Sequence, residues 1–198
     1  MGGQAANDHH DEAMKGENMT WQDEVREKQK RGNQILFGKD SPYLQDLKLL
    51  LEGQSHITLI LWALELAEES VKLLKARYPE EHRPEEALLA ARDWAAGRVK
   101  MRFAQRKILD CHAVAKELTD PADMALCHAI GQACAVVHTA GHVMGYPMYE
   151  LSSLVYRYGV EDCGEFVERR KEEYIRRLLL WAGQAKEEKG PWASFLTK

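Results

Sequence analysis

The chain has 198 residues, 45% of them apolar and 29% charged, which is the length and composition of one globular domain able to bury a core. Its 31 Asp and Glu against 27 Lys and Arg leave a formal charge of -4. With no long single-sign basic run, that balance argues against nucleic acid as the main partner, because phosphate binding needs concentrated positive surface.

Residues 1 to about 19 are rich in Gly, Asn, Asp, Glu and Met without periodicity, so they predict a disordered tail ahead of a single helical domain over 20–198. His9 and His10 fall in that tail, where the fixed geometry of a metal site is missing. Trp21 to Arg31 predicts a marginal helix with little beyond Trp21 and Val25 to bury. Ser41-Pro42 reads as an N-cap followed by proline at the first helical position, opening a helix whose Tyr43, Leu44, Leu47, Leu50 and Leu51 share a stripe up to Gly53. Ser55 caps the next, in which Ile57, Ile60, Leu61, Leu64, Val71 and Leu74 repeat at three and four until Pro79. Glu65, Glu68 and Glu69 on that helix read as a solvated acidic face. The longest apolar run, Leu59 to Leu64, is far too short to span a bilayer. Pro84 then opens EEALLAARDWAAG, with Glu85 and Glu86 at the positive dipole end and Gly97 as the stop. Met101, Ile108, Cys111, Ala115 and Leu118 mark a further helix.

Asp120-Pro121 repeats the cap-and-proline signal and predicts a central helix running to Gly145, with scarcely a charge after Asp123. A helix apolar nearly all round must be enclosed by others, and its many Ala and Gly residues permit close approach. Gly131 and Gly141 are expected at such contacts, since glycine inside a helix needs a packing reason. Pro147 begins a helix ended by Gly159, and Asp162 to about Trp181 forms the last, long one. No period-two stretch appears. The expected fold is all-α, a single-domain bundle of seven or eight helices around the small-residue-rich central helix.

Two groups of residues stand out for chemistry. Histidines gather in the middle of the chain, His112 on one helix and His128, His138 and His142 on the central one. A spacing of four puts His138 and His142 on one helical face with Cys134 a turn earlier, the only set suggestive of a metal. A metalloprotease HExxH helix would need Glu where Thr139 stands. The simpler reading makes all four core histidines, each paired with a neighbouring helix. The second group, Arg92, Asp93 and Trp94, has the composition of an interaction hot spot, but Trp94 packed inward and Arg92 paired with a carboxylate is the reading favoured here. Nucleotide-binding loops, a nucleophile elbow and an ExxH carboxylate motif are absent from the sequence, so no catalytic residue and no cofactor is expected. Cys111, Cys127, Cys134 and Cys163 form no CxxC pair and follow no secretory signal, which reads as reduced thiols in a cytoplasmic protein.

The ordered string LWALELAEESVKLLKARYPEEHRPEEALLAARDWAAG, an Ala-rich helix, and CHAIGQACAVVHTAGHVMGYPMYE resembles the bacterial Imm-5-like immunity proteins over about residues 55–158, most specifically in RPEEALLAARDWAAG and in VVHTAGH. The resemblance implies an all-helical protein that binds and neutralises a cognate toxin and is not an enzyme. The slight acidic balance would suit a basic partner. Two other classes compete with this reading. One is a helical small-molecule or metal-binding protein, or an enzyme, built on the central histidines. The other is a scaffold that forms a homodimer through its long C-terminal helix.

Overall fold

The computed structural model describes residues 19–185 and 187–197; apart from Met19, the expected N-terminal tail with His9 and His10 lies outside them. The described residues form eight α-helices, two 3-10 turns and no strand. The helices are α1 (Trp21–Lys30), α2 (Gln45–Glu52), α3 (His56–Arg77), α4 (Arg83–Ala95), α5 (Met101–Val114), α6 (Pro121–Ala135), α7 (Gly145–Tyr158) and α8 (Gly164–Gln184). The all-α bundle expected from the periodicity is therefore present, and α6 is its centre: α3, α4, α5 and α7 all pack on it. Helix α8 lies outside this ring against α3 and α7, with α2 resting on α8.

Local chemistry accounts for most of the boundaries. Helix α1 is polar, but it carries a full capping box: Thr20 Oγ1 accepts from Asp23 N–H while the Asp23 carboxylate accepts from Thr20 N–H, which satisfies two free donors at once. Ser55 accepts from Thr58 N–H at 3.2 Å and Asp120 from Ala122 N–H at 2.9 Å, as expected of N-caps. Ser41 does not cap its helix. A 3-10 turn, Pro42–Leu44, intervenes before α2, and the Ser41 hydroxyl donates instead to Glu24 of α1.

The central helix is shorter than its sequence predicts, ending at Ala135 and not at Gly145. Val136, Val137 and Thr139 are β-branched and weaken helix propagation. Thr139 is extended and its hydroxyl accepts from Gly141 N–H, starting the 3-10 turn Ala140–His142. The carbonyl of Val136, left free by the break, meets His56 Nε2 at 2.6 Å, so the helix end is satisfied from α3. Gly141 consequently lies outside α6, is exposed, and meets only Thr139 at the position its Cβ would take. The close approach falls at Gly145 instead, the first residue of α7, where a Cβ would stand 2.7 Å from Gln132 Cγ of α6.

Two carboxylates are carried into the interior with partners. Asp123, fully buried in the first turn of α6, accepts from Arg77 Nε, Arg157 and Tyr78 Oη, each at 2.7 Å. Burial raises the pKa of this carboxyl, yet the bonds from Tyr78, Arg157 and Arg77 outweigh it and hold the group below the ordinary carboxylate range. The contacts join α6 to α3 and α7. Glu150 of α7 accepts two bonds from Arg170 of α8, at 2.9 and 2.8 Å, and one from the buried Tyr174 hydroxyl. Arg170 also reaches Glu69 of α3 at 3.0 Å.

Removing one partner of such a buried pair strands the other charges, at a cost of about 3–5 kcal/mol. Asp123→Ala is expected to lower the unfolding free energy by about that much in urea titration. Asp40→Ala, which removes an exposed partner of Lys48, should change it by less than about 1 kcal/mol.

Candidate functional site

The four singled-out histidines separate into two places. His112 of α5 and His128 of α6 face each other with Nδ1 atoms 2.9 Å apart and ring centroids 5.1 Å apart. One ring donates its Nδ1–H and the other accepts, which requires an unprotonated nitrogen on at least one of them. Tyr149 of α7 covers His128, its ring centroid 5.1 Å away. Burial favours the neutral form of both rings. It lowers His112 to about 4, helped by the neighbouring His128 and His142, and lowers His128 as well. His112 can sit so close because residue 131 is glycine: a Cβ there would overlap the imidazole, standing 2.8 Å from its Cδ2. The packing reason expected for Gly131 is thus the His112 ring itself. His142 reaches the same region from the 3-10 turn, its Nδ1 3.2 Å from Gln132 Oε1.

His138 lies elsewhere. It is exposed beyond the end of α6 and its ring stacks on Trp94 of α4, with centroids 6.0 Å apart and planes 21° apart. Trp94 is itself buried and meets Phe195 on another side at 5.9 Å. Its neighbours in sequence point to ion pairs, Arg92 to Glu68 of α3 at 2.5 Å and Asp93 to Arg98 at 2.7 Å. Because α6 stops at Ala135, the shared helical face assumed for Cys134, His138 and His142 does not exist. Cys134 is fully buried. Among the described residues no three His, Cys, Asp or Glu side chains come together as a metal site.

The cavity beside His128, lined by Gln34, Met124, Tyr149 and Tyr156 among others, measures about 40 Å³, whereas small-molecule sites occupy roughly 300–1,000 Å³. The larger hollows are open grooves. One of about 430 Å³ runs between α3, α4 and the C-terminal segment over Leu61, Leu64, Trp181 and Trp192. Four of its charged rim residues, Glu65, Glu68, Arg92 and Arg98, are already engaged in ion pairs. The buried thiols are inert, with Cys127 and Cys134 pushed up to about 12 by burial.

Sequence reasoning missed the residues that do most of the polar work. Glu65, Glu68 and Glu69 are not a purely solvated face. Arg177 bonds Glu65 and Glu69, Arg92 and Lys72 bond Glu68, and the Trp181 indole donates to Glu65. A carboxylate in an apolar stretch was the available signal for Asp123 and Glu150. Also missed was a local basic run: residues 98–107, RVKMRFAQRK, hold five Lys or Arg and no acid, across the loop before α5 and the first turns of that helix, whose outer face is exposed.

A family model described as "Imm-5 like putative immunity protein" matches residues 49–177, from the end of α2 into α8 and well over half of the chain. Comparison with curated proteins and with solved structures returned no match.

Two outcomes follow from the histidine pair. Alanine at residue 131 would gain up to about 1 kcal/mol of helix propensity but overpack against His112 at about 1–3 kcal/mol. Gly131→Ala should therefore destabilise the protein in denaturant unfolding, and should stabilise it in a His112→Ala background, giving a measurable coupling energy. The second outcome concerns pH. His112 has its folded pKa lowered to about 4 against about 6.5 when unfolded, so between these values the unfolded chain binds more protons than the native one. Its contribution to stability is complete above about pH 6.5 and is lost as pH falls toward 4. From pH 6.5 to 5, above the range of the paired carboxylates, unfolding free energy should fall more steeply in the wild type than in His112→Gln.

Proposed function

Because the chain belongs to the family described as Imm-5 like putative immunity protein, we propose that it binds and neutralises a cognate bacterial toxin in the cytoplasm and acts by occupying the toxin's surface, without turning over a substrate. The observation that carries this reading is the family match over residues 49–177. The geometry supports it in two respects. The histidines that would serve catalysis are committed to one another, to Trp94 and to Gln132. The cavity beside His128 is far below the size of a metabolite site, and the hollow of about 560 Å³ over Gln132, Ala140 and Gly141 is an open groove. Of the apolar residues of α8, Val167, Tyr174 and Leu178 are buried within the chain's own bundle, while Phe166, Leu179 and Leu180 are exposed. Among the described residues no helix is long and apolar enough to cross a membrane.

A protein of this kind needs a stable core and a complementary outer face, and both partners form one complex whose affinity rests on a few anchors. Co-expression with the toxin candidate encoded by the adjacent reading frame should restore growth to cells that the toxin arrests, and the purified pair should co-elute as a complex. Failure of both, together with a metal or metabolite retained stoichiometrically by the purified chain, would shift the assignment to a ligand-binding protein.

A further inference from the structure

Helix α5 packs on α4 and α6 and buries a single stripe, Ala104, Ile108, Cys111 and Val114. On the opposite side Arg102, Arg106 and Leu109 follow one another at four and three residues, the spacing of a shared helical face. All three are exposed, and so are the flanking Met101 and Phe103. Leu109 is 65% and Phe103 51% accessible, high for side chains of this size and close together in sequence. Arg77, Arg83, Arg157, Arg170, Arg176 and Arg177 each hold a carboxylate. By contrast Lys100, Arg102 and Arg106 form no ion pair with any described residue. Arg31, Lys39, Lys116, Arg169 and Lys189 also lack an ion pair among the described residues, but scattered over the chain, whereas this face gathers three such cations within seven residues. At the margins Arg98 is tied to Asp93 and Lys107 to Glu86.

Unpaired arginines one turn apart, interleaved with exposed aromatic and aliphatic side chains, have the composition of an interface hot spot. We propose that the outer face of α5, centred on Arg102, Phe103, Arg106 and Leu109, is the docking surface of this protein, and that its occupant is a protein partner presenting carboxylates around an apolar cleft. The partner's carboxylates complete the guanidinium bonds that the chain leaves open, and its cleft removes Phe103 and Leu109 from water. The local charge is thus opposite in sign to that of the whole chain, and it governs contact because fields are screened within about 8 Å at physiological salt. A nucleic-acid backbone fits less well. Polyanion binding draws on a long positive stripe, whereas here Asp110 stands one turn after Arg106 on the same face, Glu86 and Asp93 of α4 neutralise Lys107 and Arg98 at the margins, and the chain carries -4 overall.

The inference rests on the toxin-binding reading and deepens it by naming the surface and the chemistry of its partner. The test uses the full chain, wild type and Arg102→Glu/Arg106→Glu, with a Phe103→Ala/Leu109→Ala variant as the apolar arm. Circular dichroism and thermal unfolding first establish that the variants fold, as expected for exposed positions. Each is then titrated against the toxin candidate of the adjacent reading frame at low and high salt, against duplex DNA, and against vesicles of phosphatidylserine and phosphatidylcholine. Wild-type binding to the toxin that weakens with salt, and that falls at least about tenfold in both variants, supports the proposal. Equal or tighter toxin binding by the charge-reversal variant overturns the surface and leaves the immunity reading standing. Arginine-dependent binding to DNA or vesicles without toxin binding overturns the choice of a protein partner. A wild-type chain that binds none of the probes overturns the proposal together with the reading beneath it.

Discussion

Helix α6 has no broad face that favours water. From Ala122 to Ala135 its buried positions leave only one stripe, Met124, His128, Gln132 and Ala135, and those four side chains are themselves half-covered. A helix of this composition gains stability only when enclosed, so four other helices close around it and the order of the chain becomes a route around one axis. The residues that make enclosure possible are small. Gly131 leaves room for the His112 ring, and Gly145 lets α7 start against Gln132. Close packing of this kind resists even one added methyl group, which makes these two positions more constraining than the larger aliphatic residues around them.

Enclosure creates a second requirement, because polar groups carried inside must be satisfied there. The structure meets it with pairs. Asp123 collects Arg77, Arg157 and Tyr78; Glu150 collects Arg170 and Tyr174; His112 and His128 bond each other; and the loose end of α6 is taken up by His56. Each pair spans different helices, so polar satisfaction and helix placement are one arrangement. Helix α8 shows this best: it holds α3 and α7 through Arg170 and Arg177 on one side of its buried Tyr174 and Leu178. The side chains that first suggest a catalytic or metal centre are thereby engaged with neighbours in the bundle: His112 with His128, His142 with Gln132, and His138 stacked on Trp94.

Helix positions and the all-α class were legible because caps, prolines and three-four periodicity act locally: Ser55, Asp120 and Pro84 each mark a start that the structure keeps. The break after Ala135 was readable in principle from Val136, Val137 and Thr139, but an uninterrupted apolar composition masks a change of backbone. That single misreading carried the histidine set with it, since four-residue spacing places His138 and His142 together only on a continuous helix. Pairings such as Arg170 with Glu150 or Arg177 with Glu69 join side chains distant in sequence, so no local pattern announces them. The Gly131 contact lay between: glycine in a helix signalled a close neighbour, but only the fold identifies that neighbour as His112.

The claim that α6 is the enclosed axis on which the other helices depend is tested most directly by native-state hydrogen exchange across low denaturant concentrations. The backbone amides of Ala125 to Cys134 are predicted to exchange only through global unfolding, with an opening free energy equal to that from equilibrium denaturation. Exchange of these amides through a lower-energy opening, while α8 or α1 stays protected, would contradict it.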